Sequence, residues 1–170
     1  MEVFEAIKTR RSIRKYKPIM VEKEKLFKVL EAGRLAPSAA NKQPWHFIVV
    51  TDPKVKNELK KAYDKTWFVE APVIIVACAD PNEAWKRVDG TEYWMVDVAI
   101  SMHQMVLCAT EEGLGTCWIA AFNEEAVKKA LGIPNNIRVL AMTPLGYPDE
   151  VKEEVKDRKP LNSIIHFEHW

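Results

Sequence analysis

Residues 92–112 constrain the fold more than any other part of the sequence. They predict a long helix that is apolar on most of its circumference and that ends at Gly113-Leu114-Gly115. A helix of this kind must be covered on nearly all sides, either inside a core or at a subunit interface. Other elements, or a second subunit, must therefore surround it.

The rest of the sequence alternates predicted helices with predicted strands. The helices are a short first helix carrying Phe4 and Ile7, one after Pro18 that ends near Gly33 or Ala36, one from Asp52-Pro53 to about Tyr63, and one from Asn123 to Gly132. The strands are residues 45–50, the continuously apolar residues 71–78, and residues 137–145, with a short strand or extended loop at 116–121. No repeat or linker interrupts this order, which predicts one domain over residues 1–170.

Bulk composition argues against several classes of protein. The net charge of +1 and pI near 7.7 lack the basic surplus of nucleic-acid-binding proteins. No apolar run approaches the roughly 20 residues of a membrane span. The acidic, amphipathic N-terminus does not resemble a signal peptide. Three widely spaced cysteines in apolar segments predict buried, reduced thiols and a cytoplasmic protein.

Motifs for several kinds of chemistry are missing. The sequence has no Gly-x-Gly-x-x-Gly or Walker loop and no Gly-x-Ser-x-Gly elbow. His166 and His169 have ligand spacing but no accompanying ligand motif, so we expect no metal site. Cys117 lacks an identifiable base, and His103 lies on the apolar helix. We expect a structural role for Cys117 and a core or interface position for His103.

Two basic segments stand out in this nearly neutral chain. Residues 8–17 hold six cations, and residues 156–159 hold three more. Such a run is either a solvated surface or an anion site. Arginine favours the second, because its planar fork binds two phosphate oxygens at once. Between them lie a polar turn at 37–44 and the glycine-rich residues 113–120, which offer backbone donors to a phosphorylated cofactor with a flat polar ring.

Four motifs in register resemble the FMN-dependent nitroreductase family over nearly the whole chain. They are Arg-Arg-Ser-Ile-Arg-Lys-Tyr at 10–16, Ala-Pro-Ser-Ala-Ala-Asn-Lys-Gln-Pro-Trp-His-Phe at 36–47, Gly-Leu-Gly-Thr-Cys-Trp-Ile at 113–119 and Arg-Lys-Pro-Leu at 158–161. The resemblance implies an α+β, three-layer fold whose mainly antiparallel sheet is flanked by helices. It also implies an intertwined homodimer with FMN in two interface clefts, in which helix 92–112 and the apolar segment 161–170 contact the partner.

The resemblance also implies a set of FMN-binding residues. Phosphate and ribityl contacts would come from Arg10, Arg11, Ser12, Lys156 and Arg158, with Arg14 near flavin N1 and O2. The ring would be lined from the partner subunit by Pro37, Ser38, Ala39, Asn41 and Gln43, and backbone N–H groups around Trp118, Ile119 and Ala120 would face N5 and O4. Many relatives have glycine where this chain has Ala120. Lys65 is a candidate for the pyrimidine contact.

The implied reaction is flavin chemistry without a catalytic side chain. NADH or NADPH would pass hydride to flavin N5, and an electron-poor nitroaromatic, quinone or flavin would then be reduced in a ping-pong sequence. Three alternatives remain open. They are a specialised enzyme of this fold (dehalogenation, flavin fragmentation or heterocycle oxidation), a non-catalytic FMN or nucleotide carrier, and a protein that binds nucleic acid through the basic segment.

Overall fold

A computed structural model describes all 170 residues, which form six helices and four strands. The helices are α1 (Val3–Thr9), α2 (Lys23–Arg34), α3 (Pro53–Leu59), α4 (Thr66–Glu70), α5 (Trp94–Glu111) and α6 (Glu124–Leu131). The strands are β1 (Trp45–Val50), β2 (Val73–Ala79), β3 (Gly115–Thr116) and β4 (Arg138–Gly146). Short 3-10 turns cover Ala39–Asn41 and Leu161–Ser163. None of the helices combines the length and apolarity needed to cross a bilayer.

The four strands form one antiparallel sheet in the order β1-β2-β4-β3. Every residue of β2 is buried, because neighbouring strands cover its edges and helices cover both of its faces. Its side chains alternate between two cores, with Ile75 in one and Ile74 in the other. This confirms the buried strand that the continuous apolar run predicts.

Two helical layers enclose the sheet. Helices α2 and α5 cover one face, where Val98, Met102, Met105 and Ala109 of α5 lie in a core of 16 residues. Residues of α3, α4 and α6 close the other face over a second core of 12 residues. The predicted three-layer α+β fold is therefore confirmed.

Part of the surface of α5 remains uncovered in the protomer. Met95, Val96 and Ile100 are between 38% and 48% exposed, although they belong to a long and largely apolar helix. His103 is also exposed, so the core position allowed for it is wrong and only the interface position remains. Neighbouring elements thus bury one side of α5 and leave another apolar side open.

The segment that follows α1 is joined to the segment that follows β4. Residues 11–17 run antiparallel to residues 147–153, and we call this pairing the terminal ladder. Its contacts are Lys17 N to Tyr147 O (2.8 Å), Asp149 N to Lys15 O (2.9 Å), Arg14 N to Glu150 Oε1 (2.5 Å), Lys152 Nζ to Ser12 O (2.6 Å) and Arg11 Nε to Glu153 O (2.7 Å). The ladder holds the basic segment against the body of the protein.

Candidate functional site

The first basic segment docks directly on the glycine-rich segment. Ser12 forms a parallel bridge with Thr116, and the N–H of Ile13 donates to the Thr116 carbonyl at 2.8 Å. A Cβ at Gly115 would lie 2.7 Å from Cγ1 of Ile13, so a glycine is required for this approach. The fold therefore brings the first and third family-like motifs together.

The glycine-rich segment continues as an extended chain with one open edge. The N–H of Cys117 donates to Thr143 Oγ1 at 3.2 Å, and Ile119 exchanges two backbone hydrogen bonds with Met142 at 2.9 and 3.0 Å. The N–H groups of Trp118 and Ala120 have no partner within the chain, and both residues are exposed. The N–H of Ile119 is already bound to Met142 of β4 and is not free for a flavin. Of the amides predicted to face the flavin, those of Trp118 and Ala120 remain free.

Arg10 and Arg11 differ in what their side chains contact. The guanidinium of Arg11 donates through Nε to Glu153 O and through Nη1 to Lys8 O and Arg10 O, each at 2.7 Å. These contacts leave only Nη2 for the predicted phosphate contact. Arg10 is half-buried and its guanidinium makes no hydrogen bond or ion pair within the chain, so all of its donors are available to an anion.

Arg14 lies beside an aromatic residue that sequence reasoning missed. Its guanidinium carbon is 6.0 Å from the centroid of the Trp67 ring, at the outer limit of a cation–π contact. Trp67 belongs to α4, which also packs its Phe68 edge-to-face against Tyr63. The exposed Lys65 immediately precedes α4 and so lies in the same part of the molecule as Arg14.

The second basic segment is exposed in the protomer. The Nη1 group of Arg158 donates to the carbonyl of its neighbour Asp157 at 3.1 Å, and Lys156 has no side-chain partner. No hydrogen bond or ion pair joins either side chain to Arg10 or Ser12. The terminal ladder nevertheless holds Glu153 beside Arg11. Arg158 follows five residues later, so it lies within about 18 Å of Glu153 even if the chain between them is fully extended.

The polar turn adopts a conformation that is unfavourable for its residues. Ala40, Asn41 and Gln43 have φ angles of 50°, 53° and 51°, although none of them is glycine. Left-handed backbone costs a non-glycine residue roughly 1–2 kcal/mol, so surrounding contacts must hold the turn. Within it, Ser38 Oγ accepts from the N–H of Gln43 at 2.9 Å. One hydrogen bond joins this turn to α5, and none joins it to residues 10–14 of the same protomer.

The contact from α5 to the turn is made by Asp97. Its Oδ1 accepts from the N–H of Ala39 at 2.9 Å, whereas its Oδ2 is buried without a hydrogen-bond partner. Burial raises the pKa of Asp97, and the Ala39 hydrogen bond only partly offsets this. The available signal in the sequence was a single acidic residue among the apolar residues 94–109.

No nucleophile or ligand cluster accompanies these donors. Burial raises the pKa of the Cys78 thiol to about 12, so it stays protonated at neutral pH. His166 stacks on Trp170, with ring centroids 4.5 Å apart, and no three His, Cys, Asp or Glu side chains converge. The arrangement offers guanidinium groups and backbone amides, which bind anions and polar ring edges.

Comparison with known proteins places this arrangement in a family. A sequence model described as "Nitroreductase family" matches residues 7–70 and 60–147, which include the first three motifs. The chain belongs to the nitroreductase family. The family resemblance of its motifs is thereby confirmed.

Individual relatives match over nearly their full length. A protein of Archaeoglobus fulgidus, named provisionally as an NADH dehydrogenase/NAD(P)H nitroreductase, is 37% identical, with 99% of each chain covered. The crystal structure of a nitroreductase family protein from Clostridium difficile 630 superposes with a TM-score of 0.92 at 34% identity and covers 100% of both chains. The FMN-dependent nitroreductase of Clostridium difficile R20291 gives a TM-score of 0.84 at 33% identity, covering 98% of this chain and 99% of that one.

Proposed function

We propose that the protein is an NAD(P)H-dependent oxidoreductase with FMN as cofactor, which reduces electron-poor small molecules in the cytoplasm. Support comes from family membership and from the names of its relatives, one an NAD(P)H nitroreductase and one an FMN-dependent nitroreductase. When bound, FMN would supply the chemistry, which is ping-pong hydride transfer from NADH or NADPH through flavin N5 to the acceptor.

The residues present fit this cofactor. An FMN molecule requires cationic donors for its phosphate and neutral donors for the edge of its ring. The guanidinium of Arg10 is unpaired beside the docked Ser12, and the amides of Trp118 and Ala120 are unpaired on the same glycine-rich segment. The observation that supports the proposal most directly is that the Arg10 guanidinium and the Trp118 and Ala120 amides are all without hydrogen-bond partners.

Each group has a defined task in the proposed site. Arg10 binds the phosphate, and Lys156 and Arg158 contact it from the C-terminal part of the chain. Arg11 stabilises the terminal ladder that connects the two basic segments. Arg14, beside Trp67, supplies positive charge where negative charge develops on a reduced flavin, which raises its reduction potential. Hydride transfer requires that the two reactants be positioned and does not require proton abstraction by the protein, so no side chain is assigned as a base.

We propose further that two copies of the chain build each site. The strained polar turn at 37–44 makes no hydrogen bond to residues 10–14 of its own protomer, which suits a role in the partner's site. Apolar side chains are exposed on α5, on α1 and in the C-terminal segment 161–170, and a cavity of about 300 Å³ lies between α1, α2 and α5. A second copy would cover these surfaces.

Flavin content and reduction kinetics test the proposed function. The purified protein should be yellow, release FMN on denaturation, and bleach on stopped-flow mixing with NADH or NADPH. A panel of nitroaromatics, quinones and free flavins should then reoxidise it. A colourless protein that FMN cannot reconstitute would contradict the proposal. A yellow protein that neither nicotinamide reduces would instead indicate an FMN carrier.

A further inference from the structure

Two side chains of helix α5 form hydrogen bonds to the end of α2 and to the strained polar turn at 37–44, and we call this pair of contacts the seam. Asp97 and Ser101 are four residues apart and so lie on one face of the helix. Asp97 Oδ1 accepts from the N–H of Ala39, and Ser101 Oγ donates to the carbonyl of Gly33 at 2.7 Å. Both side chains are at most 1% exposed. The end of α2 and the turn after it are therefore fixed to α5 at two points.

Only the Asp97 contact reaches the left-handed part of the turn. Ala39 is followed by Ala40 and Asn41, whose φ angles are 50° and 53°. A backbone that is locally unfavourable keeps its shape only where surrounding contacts over-determine it. Ser101 acts before this region, at the last turn of α2, and does not touch it.

The carboxylate is also costly where it stands. Its Oδ2 is buried without a partner, and a buried unpartnered oxygen lowers stability. An apolar residue of the same shape would avoid this cost. A buried residue that lowers stability and at the same time holds a strained turn in place is typical of a functional site.

We propose that Asp97 is a positioning residue for the cofactor, which holds residues 38–43 in the shape that contacts the flavin ring. The inference rests on the proposed function. Asp97 acts through the Ala39 amide and does not itself touch FMN. Its acceptor oxygen is the feature that matters, and the rest of the side chain is replaceable.

Three variants of the full-length protein test this role. Asp97→Leu keeps the branching of the side chain and removes the acceptor, Asp97→Asn keeps an acceptor oxygen, and Ser101→Ala removes the neighbouring hydrogen bond of the seam. The measurements are the FMN dissociation constant by flavin fluorescence and the thermal midpoint. We expect Asp97→Leu to raise the dissociation constant about tenfold, the size of one lost hydrogen bond. Asp97→Asn and Ser101→Ala should stay within about twofold of the unaltered protein, on the same scale.

Each departure from this pattern has a definite meaning. Unchanged FMN affinity in Asp97→Leu overturns the inference, and so does an equal loss in Ser101→Ala, which would indicate general loosening. If Asp97→Asn raises the FMN dissociation constant as much as Asp97→Leu does, the role of the acceptor oxygen is overturned. If the unaltered protein binds no FMN, the proposed function fails as well, so the two failures are distinguishable.

A measurement on the unaltered holoprotein covers the case in which Asp97→Leu does not fold. Amide hydrogen exchange should show the Ala39 N–H exchanging on the order of a hundredfold more slowly than an unprotected amide, because Asp97 holds it. Exchange of Ala39 at the unprotected rate would overturn the inference by itself.

Discussion

Arg10 and Arg11 are identical side chains at adjacent positions, and the fold gives them different surroundings. The guanidinium of Arg11 donates to three main-chain carbonyls, whereas that of Arg10 donates to none. Sequence reasoning assigned both to the phosphate, because a motif does not show which cation the backbone will use. Asp97 was missed for a related reason, since its partner Ala39 is 58 residues away.

Replacing each arginine by alanine should separate the two roles. Arg10→Ala should weaken FMN binding by about 1.5–3 kcal/mol, the range for charged hydrogen bonds, with little change in the stability of the apoprotein. Arg11→Ala should lower the free energy of unfolding by about 1–2 kcal/mol through loss of its carbonyl contacts. Fluorescence titration and urea unfolding measure the two effects. Equal effects of both variants on both measurements would contradict this division.

Elements whose ends depend on local chemistry were predictable. Asp52 caps α3 by accepting from Lys54 N (2.8 Å) and Val55 N (3.1 Å), and Gly132 ends α6 with a φ of 65°. Elements that depend on distant contacts were not. Helix α3 ends at Leu59, before the expected Tyr63, and α4 was not predicted, because aromatic packing around Phe68 stabilises it. The short strand or extended loop expected at 116–121 is a strand only at Gly115–Thr116 and continues as an extended segment with a single bridge from Ile119 to Met142.

The contact between the basic segment and β3 can be tested at Gly115. Gly115→Ala would place a methyl group 2.7 Å from Cγ1 of the buried Ile13. Overpacking of this kind typically costs about 1–3 kcal/mol, and displacement of Ile13 would also move the adjacent Ser12. We expect lower stability together with weaker FMN binding. Gly113→Ala is the matched control, because its Cβ would meet nothing within 4 Å, although its φ of 75° adds local strain. FMN affinity that falls equally in both variants would count against this mechanism.

Glu124 links α6 to β4 and should make stability depend on pH. Burial raises its pKa, but Arg138 Nε (2.9 Å), the Val139 N–H (2.9 Å) and Lys128 outweigh this and lower it below its ordinary value of 4.5. The stabilisation is therefore fully present above pH 4.5 and is lost as pH falls through the lower pKa of the folded state. Glu124→Gln should lower stability by about 1–2 kcal/mol at pH 7 and flatten the decline below pH 4.5. Urea unfolding across pH 3–7 measures this, and an unchanged profile would contradict it.

At the scale of the whole molecule, the exposed apolar surfaces are the main unsatisfied feature of the protomer. Phe167 is 84% exposed and Trp170 101% exposed, whereas Ile100 of α5 is 38% exposed. The sequence predicted both the apolar helix and the uncovered C-terminal segment. Both surfaces remain uncovered in the protomer.

Removing residues 160–170 tests whether the C-terminal segment holds two copies together. Truncation after Lys159 should give a monomeric or poorly folded protein, because in the proposed dimer the apolar side chains of this segment cover the partner. Size-exclusion chromatography with light scattering measures the mass. A truncated protein that remains an intact dimer with bound FMN would refute this role.

The terminal ladder also has a consequence for biosynthesis. Residues 11–17 are translated well before their partners, residues 147–153, which follow the last strand of the sheet. Contacts this distant along the chain form late and slowly. The first basic segment can therefore dock on Thr116 once β3 has emerged, whereas the Arg11 guanidinium gains its Glu153 acceptor only when residue 153 has left the ribosome. The phosphate-binding end of the proposed site is completed last, when Lys156 and Arg158 follow.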